Sequence, residues 1–324
     1  MKKLIFAAMA VAMLAGIVTA KGQAYPSRPI TIIVPFAAGG PTDTLARVLA
    51  NRMHQSLGQT IIIENVTGAS GTLGVARVVR SAPDGYTVSI GHLGTHVFNG
   101  AIFPLTFDLV NDLEPVAMVS SNPMMIVSKN AVPAKNLKEL IAWIKANDGK
   151  LSAGTAGAGS GSHIAGVYFE QLIGTKLQFV PYRGTGPALI DLIGGQIDLI
   201  VDQASNSLPQ VKAGKIRAYG ITADKRLPTA PEVPTVDEAG LPGFYVALWS
   251  GLWVPKGTPK DIIAKLNQAV VEALADPAVR KHFADVGLEA PPRDKQTSEA
   301  LAVHQRAEVK KWWPIIKAAN IKLN

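Results

Sequence analysis

The chain of 324 residues contains no cysteine. That excludes a disulfide framework, a thiolate metal site and a cysteine nucleophile. Export to an oxidising compartment stays compatible with this, because a chain of about 300 residues buries enough apolar surface without covalent staples. Aromatic residues are sparse, at 6%, and no basic stripe is interleaved with them; Lys310-Lys311 is the one adjacent lysine pair beyond Lys2-Lys3. Nucleic acid is therefore not an expected partner. The formal charge is +8, and removing Lys2, Lys3 and Lys21 with residues 1–24 leaves 8 − 3 = +5. A mild positive field of that size suits an anionic ligand.

Nucleotide and hydrolase motifs are also missing. There is no Gly-x-x-x-x-Gly-Lys-Ser/Thr phosphate loop. The run Gly157-x-Gly159 carries Ser162 where a dinucleotide fingerprint needs its third glycine. Gly68-Ala69-Ser70-Gly71-Thr72 comes closest to a nucleophile elbow and lacks the last glycine. His92 and His96 have i, i+4 spacing, but no Glu-x-x lies between them and Gly91 and Gly94 flank the pair, so no metal is expected. No catalytic residue and no cofactor are assigned.

What is present begins with an export signal. Lys2 and Lys3 precede the apolar run Leu4–Val18, and Thr19-Ala20 or Gly22-Gln23-Ala24 offers small residues for cleavage after Ala20 or Ala24. This pattern is a secretory signal peptide over residues 1–24, too short for a stable membrane span. With no cysteine after it, a lipid anchor is excluded, and a soluble periplasmic protein is expected.

The rest of the chain reads as repeated strand, small-residue loop and helix. Ile30–Pro35 is a short apolar run, as in a strand buried on both faces. Thr42–Leu57 places Leu45, Val48, Leu49 and Met53 at helical spacing, with Gly58 as its C-terminal cap. Similar units follow through Ile61–Ile63, Tyr86–Ile90, Leu151–Ala153, Leu177–Pro181, Ile197–Val201 and Ile216–Ile221, and Pro259–Asn324 reads as helical. The alternation predicts α/β lobes, each a mainly parallel sheet flanked by helices. Val116–Val127 and Phe244–Val254 look like two extended crossings between lobes. The first lobe is then residues 25–120 plus 250–324, the second residues 121–249, and the double crossing is a hinge.

Four loops join a strand end, small residues and a helix start: Phe36–Asp43, Thr67–Gly71, Gly157–His163 and Arg183–Pro187, with Gly91–Thr95 a weaker fifth. In open α/β sheets such loops converge at the carboxyl ends of the strands. Small residues let a ligand approach the backbone, and unpaired N–H groups at each helix start favour an anion by about 0.3–1 kcal/mol. Several together with lobe closure reach micromolar binding, about 8 kcal/mol. The plainer alternative is that the glycines serve tight turns. The candidate ligand residues are Phe36, Ala37, Ala38, Gly39, Gly40, Thr42, Asp43, Ser70, Thr95, Gly159, Ser160, Gly161, Ser162, His163, Arg183, Gly184, Thr185 and Asp202. Several of these carry two readings. Asp43 stabilises its helix start; His163 bonds an anion or caps its own turn; Asp202 meets a ligand hydroxyl, amine or water, or caps the next helix. Arg183 is a bidentate carboxylate partner or a solvated strand-end cation. Phe36 walls the ligand or simply packs.

At these residues the chain resembles the periplasmic receptors of tripartite tricarboxylate transporters, the Bug-type receptors. The resemblance runs through Tyr25–Ile30, Val34–Asp43, Gly154–His163, Pro181–Leu189, Gly194–Asp198, Val233–Thr235 and Gly251–Pro259. It implies a Venus-flytrap fold, no enzymatic activity and delivery of a small carboxylate to integral membrane subunits; the receptor itself is expected to be a monomer. Ligands of the family include di- and tricarboxylates and aromatic diacids such as terephthalate. The resemblance implies that Phe36–Asp43, Gly159–His163 and Arg183–Thr185 grip the carboxylate and that Asp202 lies close to it. Arg183, where lysine is more usual, and Gly91–Gly94 depart from the pattern. Two other readings stand beside this one: an exported enzyme acting on anionic substrates, and a ligand sensor for a signalling partner.

Overall fold

A computed structural model describes residues 25–318; the expected signal peptide and the last residues of the C-terminal helical region lie outside them. β1 (Ile30–Val34) is almost wholly buried, as its apolar run requires. Small-residue chemistry then turns the chain into α1 (Pro41–Leu57), whose first residue is proline and whose C-cap, Gly58, takes φ 65° and donates to the His54 carbonyl. Leu45, Leu49 and Met53 face inward from α1, onto β1 and its neighbours. β2 (Ile61–Asn65), α2 (Thr72–Val79) and β3 (Thr87–His92) complete the first set. Strands β2, β1 and β3 are parallel.

After β3 the chain forms a π-helical turn (Gly94–Phe98) and the short α3 (Asn99–Ile102). β4 (Leu113–Lys129) follows and is 17 residues long. The second set is α4 (Leu137–Ala146), β5 (Ser152–Thr155), α5 (Gly161–Ile173), β6 (Gln178–Pro181), α6 (Thr185–Ile193), β7 (Leu199–Gln203), α7 (Ala204–Lys212) and β8 (Ile216–Ile221). Here β6, β5 and β7 are parallel. β9 (Ala247–Pro255) returns antiparallel to both β3 and β4. α8 (Lys260–Ala275), α9 (Pro277–Val286) and α10 (Ser298–Ala318) close the described chain.

The strand order is β2-β1-β3-β9-β4-β7-β5-β6, with β8 also on β4. β4 is thus shared. Its first part pairs with β9, and Met124–Ser128 pairs with β7 while Met125–Lys129 pairs with β8. Each lobe therefore carries three parallel strands with helices on its faces, and the crossing strands add antiparallel pairs. One apolar core lies under α1 and α8, another under α6 and α7, and a third runs through both lobes from Leu93 to Trp253 and Phe169. Trp312 and Trp313 clamp the π-helical turn: Trp313 Nε1 donates to the Val97 carbonyl at 2.8 Å, and Trp312 meets Phe98 edge-on.

Candidate functional site

The carboxyl ends of β1, β3, β5 and β7 face one another across a closed cleft. Its walls are Phe36, Gly40, Pro41, Thr42 and His92 from one lobe, Ala156, Gly161, Ser162, Thr185, Asp202 and Gln203 from the other, and Met124 and Leu248 from the crossing strands. The enclosed space is about 20 Å³, room for roughly one water. A molecule larger than that needs the lobes further apart.

Four helices start at this cleft. Ser160 caps α5 by accepting from the His163 N–H, and Asn122 accepts from Ser205 N–H in the first turn of α7. The starts of α1 and α6, in opposite lobes, have Gly40 and Gly184 as N-caps and no side-chain cap. No side chain caps the N–H groups of their first turns, of which Pro41 has none to offer, and their dipoles place partial positive charge at the cleft.

The main chain joins the lobes at the cleft edge. Ala37 N–H donates to the Arg183 carbonyl at 2.8 Å, and the Ser70 hydroxyl donates to the Ala158 carbonyl at 2.5 Å. Gly184, at φ 149°, adopts a conformation that favours glycine, and a Cβ there would lie 3.3 Å from the Ala37 nitrogen and 3.4 Å from the Phe36 Cβ.

Of the residues expected from sequence, Phe36, Gly40, Thr42, Gly161, Ser162, Thr185 and Asp202 meet at the cleft. Several of the others serve it from behind. Asp43 accepts from Gly39 N–H, from Asn65 and, at 2.9 and 3.0 Å, from Arg47. Burial pushes its carboxyl up, but these donors outweigh burial and hold it below the usual carboxylate range. Asp43 and Asn65, which also donates to the Phe36 carbonyl, thus fix the first loop. His163 Nδ1 accepts from Gly159 N–H, so His163 fixes its own loop, and burial holds its pKa down. Ala38 and Gly39 are exposed. The Arg183 side chain is exposed and lines a separate surface groove with Ser70, Phe103 and Tyr182.

Thr95 supports a residue that the sequence reading weighed only as a metal ligand. Its hydroxyl accepts from His92 N–H at 3.0 Å and lies 3.1 Å from the His92 carbonyl. The His92 ring stacks on Phe36 with centroids 5.2 Å apart and 7° between planes. Burial pushes its pKa down to about 4, so the ring is neutral near pH 7. His96 turns away, stacking on Trp253 and meeting the Thr95 hydroxyl, and burial pushes its pKa to about 3. Asp202 is fully buried, and burial pushes it up to about 6, although Ser207, Asn206 and Gln203 N–H all donate to it. No lysine or arginine lines the cleft. Among the described residues no group of three or more His, Asp or Glu side chains is arranged to hold a metal ion.

His92 lies within the weaker loop Gly91–Thr95 and was weighed there only as a metal ligand, and Gln203 follows Asp202 directly. Met124 and Leu248 gave no signal, because on crossing strands they look like any core residue.

Comparison with known proteins agrees with this architecture. The chain is 42% identical over 298 residues to the UPF0065 protein of the TAR-I ttuE-ttuC' intergenic region of Agrobacterium vitis, covering 92% of this chain and 86% of that one. The structure of MatC from Rhodopseudomonas palustris with bound malate superposes with a TM-score of 0.87 at 42% identity, covering 90% of this chain and all of that one. The periplasmic binding protein BugD gives a TM-score of 0.89 at 39% identity, covering 92% and 99%. These neighbours bear out the Venus-flytrap expectation, and a family of receptors displaces the enzyme alternative. The sequence model of the tripartite tricarboxylate transporter family receptor matches residues 45–321, and the chain belongs to that family.

Proposed function

We propose that this chain is an exported periplasmic receptor that captures a small di- or tricarboxylate between its lobes and delivers it to integral membrane transporter subunits. The observation that carries the reading is the pair of uncapped helix starts, α1 and α6, facing each other from opposite lobes in a cleft with no basic side chain. Backbone donors and helix dipoles then hold the anion without a cation. Malate bound by a relative of 42% identity supports the same ligand chemistry. The lobes are residues 25–120 with 250–324 and residues 121–249, hinged at the two crossings, and residues 1–24 are the export signal. The receptor works as a monomer. Within the first set of candidates, the ligand touches Phe36, Gly40, Thr42, Gly161, Ser162 and Thr185, while Asp43, Thr95, Gly159, Ser160 and His163 hold those groups in place.

The test is a thermal-shift screen of the mature protein against mono-, di- and tricarboxylates, aromatic diacids such as terephthalate, and the matching neutral amides. A ligand at 100 times its dissociation constant adds about 2.7 kcal/mol. Di- or tricarboxylates are expected to raise the melting temperature and amides to leave it unchanged. Equal stabilisation by amides would refute the anion reading.

A further inference from the structure

Ala69 and Ser70 are the two non-glycine residues, among those described, whose backbone takes a positive φ, at 44° and 52°. Side chains rarely adopt that left-handed conformation, and where they do the surroundings must hold them in it. Asn99 does so here. It is completely buried, and its Nδ2 donates to the Ser70 carbonyl at 3.0 Å, while its Oδ1 has no partner. Two strained residues and an orphan buried oxygen thus meet at one short loop, Gly68–Gly71. Both features oppose folding.

What the loop achieves is reach. The Ser70 hydroxyl donates to the Ala158 carbonyl of the opposite lobe at 2.5 Å. Gly157 lies so close that a Cβ on it would come within 2.9 Å of Ser70 Oγ, and a Cβ on Gly159 would lie 3.1 Å from Ile102 and 3.2 Å from Phe103. The Gly157–Gly159 turn of the second lobe is therefore seated on Ser70, Ile102 and Phe103 of the first. That turn leads through the Ser160 cap into α5, whose Gly161 and Ser162 line the cleft. Ser70 itself is not a cleft wall and borders the neighbouring groove instead. Of the two links at the cleft edge, Ala37 to Arg183 runs between main-chain atoms. Ser70 supplies the one that a side chain controls.

Resting on the receptor reading above, we propose that Ser70 is a positioning residue that latches the closed cleft and sets how long a ligand stays, without touching the ligand. Asn99 and the Ser70 loop belong to the same lobe, so the hydroxyl is aimed before the lobes meet and closure orders little that is new. The bond forms on closure and must break before a ligand leaves. Its weight therefore falls on release, not on capture or on the choice of ligand.

The experiment is stopped-flow fluorescence on the mature protein, with dyes on Ile62→Cys and Ile190→Cys, exposed residues of opposite lobes in a chain with no other cysteine. The probes are L-malate, succinate, citrate and terephthalate, in the wild type, Ser70→Ala and Ser70→Gly. In both variants every probe that the wild type binds is expected to dissociate about three- to tenfold faster, the worth of one hydrogen bond. Association should stay within about twofold of the wild type, and the ranking of the probes should not change. Glycine accepts the left-handed conformation, so Ser70→Gly should melt at or above the wild-type temperature and still release faster, a pairing that a merely structural role does not give. Dissociation as slow as in the wild type in either variant overturns the proposal. So does an altered ranking of the probes, which would mean that Ser70 touches the ligand. Probes that bind but leave unchanged in the variants remove only the latch, whereas no binding of any carboxylate in the thermal-shift screen removes the receptor reading as well.

Discussion

Gly40 and Gly186 approach so closely across the cleft that a Cβ on Gly186 would lie 3.0 Å from the Gly40 nitrogen and 3.1 Å from its Cα. Gly186 belongs to the first turn of α6 and Gly40 is the N-cap of α1, so the contact joins two helix starts from different lobes. Backbone rather than a flexible side chain is what a new Cβ would meet.

Gly186→Ala is therefore expected to separate closure from stability. Alanine is favoured over glycine in a helix by about 1 kcal/mol, so the apo melting temperature should hold or rise. Closure is obstructed, and ligand affinity should fall about tenfold, more for Gly186→Val. Titration alongside thermal melts checks this; a fall in stability with unchanged affinity would show that the contact is not part of closure.

Asp202 makes binding depend on pH. Its carboxyl is pushed up to about 6 in the free protein, and an anion in the same cleft raises it further. Capture of the anion then takes up protons, and affinity should increase as the pH falls from 7.5 to 5.5. Titrations in two buffers of different ionisation enthalpy measure the uptake directly. Affinity independent of pH over this range would mean that the ligand does not approach Asp202.

Folding stability should move the opposite way in acid. His92 and His96 have folded pKa values pushed down to about 4 and about 3 by burial, below the ordinary value near 6.5. The unfolded chain binds these protons first, so stability is lost as the pH falls below about 6.5, by about 1.4 kcal/mol per pH unit for each group. Asp202, with its raised pKa, binds its proton first in the folded state and offsets one of the two histidines between about pH 6 and 4. Thermal melts of the apo protein from pH 7.5 to 4 should show a net decline, shallower in His92→Phe.

Arg183 contributes its carbonyl, not its guanidinium, to the seam with Ala37. Arg183→Ala should change carboxylate affinity by less than threefold. A loss of a hundredfold would reveal a guanidinium–carboxylate contact made when the cleft is occupied.

How far the sequence carried the site depends on whether the relevant chemistry is local. The loops around Gly40, Gly161 and Thr185 were legible because small residues at a strand end, followed by a helix start, have the same meaning wherever they occur. The crossing strands were legible too, since Val116–Val127 and Phe244–Val254 fall largely within β4 and β9. Asp43 and His163 were ambiguous, as either could reach outward or back to its own loop, and only the positions of Gly39 and Gly159 decide between these. His92 was weighed only as half of a metal-like pair, because its stacking partner Phe36 is brought to it by chain folding. The π-helical turn after it had no pattern of its own; Trp313 and Gln305 from α10 hold that backbone from a distance of about two hundred residues, through the Val97, His96 and Leu109 carbonyls.

The link from Ala37 to Arg183 runs between main-chain atoms, and every residue except proline in the donor position can make it. Substitutions of either side chain then leave this seam between the lobes in place.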